Sequence, residues 1–191
     1  MTSRIAHLGW LPALLTCVVA CNRPAPAETS TATAESPSTS ATSSAASGPI
    51  DICSIVTPAD AAALMGSLTP QPPAKTDHVG FGISACMYVG PALSGTGAQT
   101  IFARLTIQAG RGKDPADMLQ DDVEKRHATT TLPGVGDSAK RNDTGSFVWT
   151  SKSGVTCTAE ISNGLPPPLT PDTAAQGLGR LCQKVLAAST S

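Results

Sequence analysis

Aromatic side chains are scarce in this 191-residue chain: three Phe, two Trp and one Tyr. A core short of large rings is built mainly from Ala, Val, Ile and Leu. Such a core gives a thinner stability margin, which covalent staples improve. Charge is sparse too, at 14% of residues, with a net charge of −1. Nucleic-acid binding calls for a clustered basic surface, and the composition offers none. The apolar run Trp10 to Ala20 falls well short of the ~20 residues needed to span a bilayer as a helix. There is no G-x-S-x-G or H-E-x-x-H, no G-x-x-x-x-G-K-[ST] and no C-x-x-C. Each of those patterns carries a specific chemistry, so no serine-hydrolase, zinc-protease, nucleotide or dithiol-redox function is signalled.

What is present first is an address. Met1 to Gly9 carry Arg4 and His7 and no acid, and the apolar run that follows ends in small residues. This is the composition of a secretory signal, expected to span residues 1–20. Val18-Val19-Ala20-Cys21 resembles the bacterial lipobox. The resemblance implies cleavage before Cys21, a diacylglyceryl thioether on its sulfur, and acylation of the new amino end, palmitate included. Each buried methylene contributes ~0.8 kcal/mol, and stable anchoring takes more than one chain. The expected location is the cell envelope, on the periplasmic side of the outer membrane where the host has two. Asn22, rather than Asp, after the cysteine leans that way.

Residues 22–48 are Ser, Thr, Ala and Pro with almost no large apolar side chain. They bury too little surface to offset chain entropy, so residues 21–48 read as a lipidated cysteine followed by a disordered tether. Such a tether averages roughly 30 Å end to end and reaches on the order of 90 Å when stretched. Removing the signal takes Arg4 from the 13 basic residues and leaves 12 against 14 acids, a net −2. One folded domain is expected over residues 49–188.

Four cysteines lie in that domain: Cys53, Cys86, Cys157 and Cys182. An even count in an exported chain reads as two disulfides. Of the three possible pairings, Cys53–Cys86 and Cys157–Cys182 joins near neighbours in sequence. Zinc is disfavoured, because the cysteines lack ligand spacing and have no His pair beside them.

Three segments share a helix-start grammar: Thr57-Pro58-Ala59-Asp60, Asp114-Pro115-Ala116-Asp117 and Thr170-Pro171-Asp172. Each offers a capping side chain, Pro at the first helical position and an acid in the first turn. Between them apolar residues alternate with period two. Ile83 to Val89, Ile101 to Ile107, Phe147 with Trp149, and Val155 to Ile161 predict four strands, and Thr129–Leu132 a short fifth. Thr156, Thr158, Glu160 and Ser162 are expected to point outward. The expected fold is α+β: an antiparallel sheet of four to five strands, three helices covering a face, and two disulfides.

The opening Cys53-Ser-Ile-Val-Thr-Pro-Ala-Asp with Ala-Leu-Met-Gly66, the strand Cys86-Met-Tyr88, and the turn Leu132-Pro-Gly-Val-Gly-Asp137-Ser-Ala139 occur together in a known pattern. They resemble small exported domains of uncharacterised actinobacterial lipoproteins and the extracellular sensor domains of mycobacterial Ser/Thr kinases. The resemblance runs from Asp51 to about Leu186. It implies an α+β domain with two disulfides, no enzymatic activity and a ligand-accepting cleft. The chain departs from the kinases in carrying no kinase domain or transmembrane helix, which argues against direct signalling.

Few residues qualify as site candidates. Gly110-Arg111-Gly112-Lys113 precedes a helix, where backbone amides with Arg111 and Lys113 can hold an anion; the plainer reading is a solvated turn. Gly134-Val-Gly-Asp137 reads as a tight turn. His78 and His127 lack an oriented nucleophile, and His127 suits a helix C-terminus. Asp117, Asp121, Asp122 and Glu124 can serve acid–base chemistry or bind a metal, but form a solvated helix face with Lys125 and Arg126. Trp149 and Phe147 read as core before ligand platform. The Asn142-Asp-Thr144 sequon is incidental in a bacterial lipoprotein.

No catalytic residues, cofactor or metal are expected. The leading expectation is a non-enzymatic lipoprotein, attached to the membrane by its lipid and binding an envelope protein or small ligand, with Arg111, Lys113 and Trp149 as candidate contacts. The alternatives are a hydrolase or transferase acting on envelope polymers, whose carboxylates meet only in space, and a structural spacer.

Overall fold

The computed structural model describes residues 48–78 and 81–190, with the side chains of residues 77 and 78 left aside. The signal segment, Cys21, the tether up to residue 47 and the His78 side chain lie outside the described residues. The elements are α1 (Ile52–Ile55), α2 (Pro58–Met65), β1 (Ala74–His78), β2 (Ile83–Ser94), β3 (Ile101–Arg111), α3 (Lys113–Lys125), β4 (Thr130–Thr131), β5 (Ser138–Arg141), β6 (Phe147–Lys152), β7 (Val155–Ser162) and α4 (Pro171–Ser189). The strands form one sheet in the order β1-β2-β3-β7-β6-β5-β4, with every neighbouring pair antiparallel. The α+β class and antiparallel sheet agree with expectation.

The strand count does not: seven strands replace the four to five expected. The unforeseen pair is β1 (AKTDH) and β5 (SAKR). Each has little apolar alternation, because only Ala139 of β5 is buried and β1 lies on the edge of the sheet. Their conformation is imposed by hydrogen bonding to β2 and to β4 and β6, and the charged residues of the edge strand β1 discourage further pairing. Four helices replace the three expected, the extra one being the single turn α1.

The main core lies between one sheet face and α1, α2 and α4. Cys86 and Tyr88 of β2, Leu105 and Ile107 of β3, and Cys157 and Ile161 of β7 meet Leu178, Val185 and Leu186 of α4 there. A second, smaller core lies on the opposite face. There Leu119 and Val123 of α3 cover Ile83, Phe147 and Trp149. Helices therefore cover both faces rather than one. The reason is local: β6 places Val148 on one side and Phe147 and Trp149 on the other, so its hydrophobic surface needs cover twice. The same helix corrects a further expectation, since Thr156 and Thr158 are buried rather than outward.

Two of the three helix starts follow the expected grammar. Thr57 and Thr170 each cap a helix in a capping box, with Pro at the first position. The third differs: α3 starts at Lys113 behind Gly112, with no side-chain cap, rather than behind Asp114. Pro115 explains part of the shift. It seats its ring over Gly110, where an added Cβ would lie 2.4 Å from the Pro115 Cβ.

The disulfides are Cys53–Cys86 and Cys157–Cys182, the pairing favoured from sequence. Each ties a helix, α1 or α4, to a strand on the main-core face, where Cys86, Cys157 and Cys182 are fully buried.

Candidate functional site

A wide groove opens at one end of the sheet. It forms where β3 begins and β7 ends, since Arg104 pairs with Ser162 in their ladder. Beyond Ser162 the chain turns through Asn163 and Gly164, both with positive φ (69° and 121°). Gly tolerates that region freely and Asn better than most residues. The Asn163 side-chain amide donates to the Phe102 carbonyl at 2.9 Å, which holds the turn against β3.

The opposite wall is the β5–β6 hairpin tip. Asn142 shapes it: its carbonyl oxygen accepts from the Phe147 amide at 3.2 Å, and its amide reaches the Ser146 hydroxyl at 3.2 Å. Gly145, at φ 67°, lets the tip touch the start of α4. A Cβ there would sit 1.8 Å from the Pro171 carbonyl oxygen. The Arg141–Asp172 ion pair at 3.0 Å closes the same junction.

These parts enclose a groove of about 860 Å³, walled by Arg126, Asp143, Ser146, Glu160, Ser162 and Leu165. A second cavity of about 450 Å³ adjoins it at Asn163, walled by Gln71, Ile101, Phe102 and Arg104. Arg126 Nη2 stands 2.8 Å from Glu160 Oε2. Asp143 Oδ1 accepts from the Thr130 hydroxyl at 3.3 Å. Burial raises the Glu160 carboxyl above its ordinary value; Arg126 opposes this and the Asp122 charge adds to it. The floor is thus a partly desolvated ion pair flanked by hydroxyl, amide and carboxylate groups. That is a recognition surface able both to donate and to accept hydrogen bonds.

The residues singled out from sequence lie elsewhere. Arg111 donates to the Gly48 carbonyl and to the Ser189 carbonyl, both at 2.9 Å. It clasps the chain entering the domain to the end of α4. Lys113 pairs with Asp117 one helical turn on. Both cations therefore have protein partners, and the structure does not bring them together around a shared site. Trp149 is only 8% exposed and packs under α3, its Nε1–H buried without a protein acceptor. His127 takes a left-handed conformation (φ 51°) just past α3. Among the described residues no group of three or more His, Cys, Asp or Glu is placed to hold a metal.

Sequence reasoning missed Arg104, Arg126, Asp143, Glu160, Ser162 and Asn163 as a group. They come from β3, the α3 exit, the hairpin tip and β7. The signal that marks this loop is the Asn163-Gly164 dipeptide, a turn pattern.

No family model matches the chain, and neither the curated proteins nor the solved structures contain a significant match.

Proposed function

We propose that this protein is a lipid-anchored, extracytoplasmic binding domain that uses the groove at the Arg104–Ser162 end of its sheet to hold an envelope partner or small ligand. The observation that carries this reading is the placement of that groove. The chain enters the domain at Gly48, clasped by Arg111. Arg111 and Arg104 lie seven residues apart on one strand, or about 23 Å at the rise of a β-strand. The groove therefore lies at the other end of β3 from the point where the chain enters the domain. The lipobox resemblance at Cys21 and the two disulfides agree with an oxidising compartment. The actinobacterial lipoproteins and kinase sensor domains that the sequence resembles fit the same role. A tether of this length confines the domain near its membrane, so a weak interaction gains from raised effective concentration.

Two experiments test the reading. Cys21→Ser should move the protein from the membrane to the soluble fraction and abolish labelling by radioactive palmitate; unchanged labelling defeats the anchor. A photo-crosslinking residue at position 162 should give an envelope adduct that the same residue at Gln176, exposed on α4, does not.

A second reading has one specific support. Asp143 and Glu160 wall one cavity, and glycosidases use two carboxylates across the scissile bond, one of them with a raised pKa. Glu160 is raised by burial but is tied to Arg126. Release of reducing ends from an envelope glycan, lost in Glu160→Gln, would establish hydrolysis in place of binding.

A further inference from the structure

We infer that the groove takes a neutral oligosaccharide, a claim that rests on the binding reading above and narrows it to one ligand class.

The charges in the two adjoining cavities balance. Arg104 and Arg126 stand against Asp143 and Glu160. A balanced site attracts neither polyanions nor polycations over distance, which disfavours a highly charged polymer. It still has short-range donors and acceptors. Among the described residues the Arg104 guanidinium and the Ser162 hydroxyl make no hydrogen bond to protein, and Asn163 commits only its amide nitrogen, to Phe102. Sugar hydroxyls both donate and accept, so they suit a surface that mixes guanidinium, hydroxyl and carboxamide groups.

The remaining wall is apolar. Phe102 lines the smaller cavity beside Ile101, which is 49% exposed, and Leu165 lines the larger. The C–H face of a sugar ring is weakly apolar and packs on such a surface while its rim stays hydrogen-bonded. The two cavities meet at Asn163, and together they exceed the volume of one compact small-molecule site. An extended chain of linked rings fills that shape better than a single small ligand.

The test uses the full-length acylated protein in lipid nanodiscs, with chitohexaose as probe and a hyaluronan hexasaccharide as its anionic counterpart. Calorimetry should show saturable chitohexaose binding that changes little with added salt, because no net charge is neutralised. Arg104→Ala and Ser162→Ala should each weaken it by about tenfold, the loss expected for a polar contact in a partly buried site. Arg104 is exposed and Ser162 half-buried, and an unchanged melting temperature verifies folding. Arg180→Ala, on the exposed side of α4, should bind as the parent does. Preference for the anionic sugar, or equal binding by all variants, overturns the inference. So does absence of chitohexaose and maltohexaose binding at millimolar concentration; if the position-162 crosslink persists then, the binding reading stands and only the saccharide class falls. Loss of both defeats the two together.

Discussion

Tyr88 is the only tyrosine in the chain, and its position shows how a polar atom is accommodated in the main core. Its ring is 2% exposed, and its hydroxyl donates to the Val56 carbonyl at the end of α1. Burial, with the nearby Asp60 charge second, pushes its pKa up to about 12. Removing the hydroxyl leaves that carbonyl without its donor. Tyr88→Phe is expected to lower unfolding free energy by about 1–2 kcal/mol in urea titrations. Asp60 makes the complementary case for charge. Its carboxylate accepts from the Thr57 amide at 2.7 Å and from Lys184 Nζ at 2.6 Å, linking the start of α2 to α4. The Lys184 hydrogen bond, then those from Thr57, lower its pKa from 3.8 to about 2. A lowered carboxyl stabilises the fold above its unfolded pKa, and this contribution is lost as pH falls through the folded one. The parent should therefore lose stability between pH 3.8 and about 2, by a share that Asp60→Asn lacks. Partial exposure limits that share to about 1 kcal/mol, and denaturant curves at stepped pH measure it.

At the scale of elements, the junction between the hairpin tip and α4 is the most demanding place in the groove. Gly145 combines positive φ with a close approach to the Pro171 carbonyl. Gly145→Ala must shift either the tip or the helix start, and should destabilise by about 2 kcal/mol or more. Groove ligands should weaken in parallel, because Asp143 and Ser146 move with the tip. Gly177→Ala is a contrasting control. Its Cβ meets the end of the Leu64 side chain at 2.3 Å, and a side chain can rotate where a backbone cannot, so a smaller loss in melting temperature is expected. The same scale explains what was readable in advance. The α2 and α4 starts were legible because Thr, Pro and the first-turn residues act locally. The α3 start differs from expectation because Gly112, at φ 89°, turns the chain directly into the helix at Lys113, and Pro115 packs back on Gly110 at the end of β3. The β2, β3, β6 and β7 strands announced themselves by alternation, whereas β1 and β5 are strands only because a neighbour offers a ladder.

Across the whole molecule, the two disulfides divide the labour of holding the main core. One fastens α1 to β2 and the other α4 to β7, closing sequence separations of 33 and 25 residues. In the chain-entropy model each loop stabilises by about 3–4 kcal/mol. A domain with this few aromatics should therefore depend on both. The double variant Cys157→Ala with Cys182→Ala is expected to lose about 3 kcal/mol in thermal or denaturant unfolding, with α4 exchanging amide hydrogens first. Among the described residues the opposite face has no staple, and α3 rests there on a small core around Trp149.

Local chemistry was enough to foresee the α+β class, the cysteine pairing and most of the helices and strands. Each of these rests on residues close together in the chain, where spacing translates directly into geometry. The groove was not foreseeable in this way. Arg104, Arg126, Asp143 and Glu160 come from four separate stretches, and they converge only after β3 has paired with β7 across the intervening α3 and hairpin. Nothing in their spacing encodes that meeting, because the β3–β7 crossover depends on burying both faces of the sheet at once.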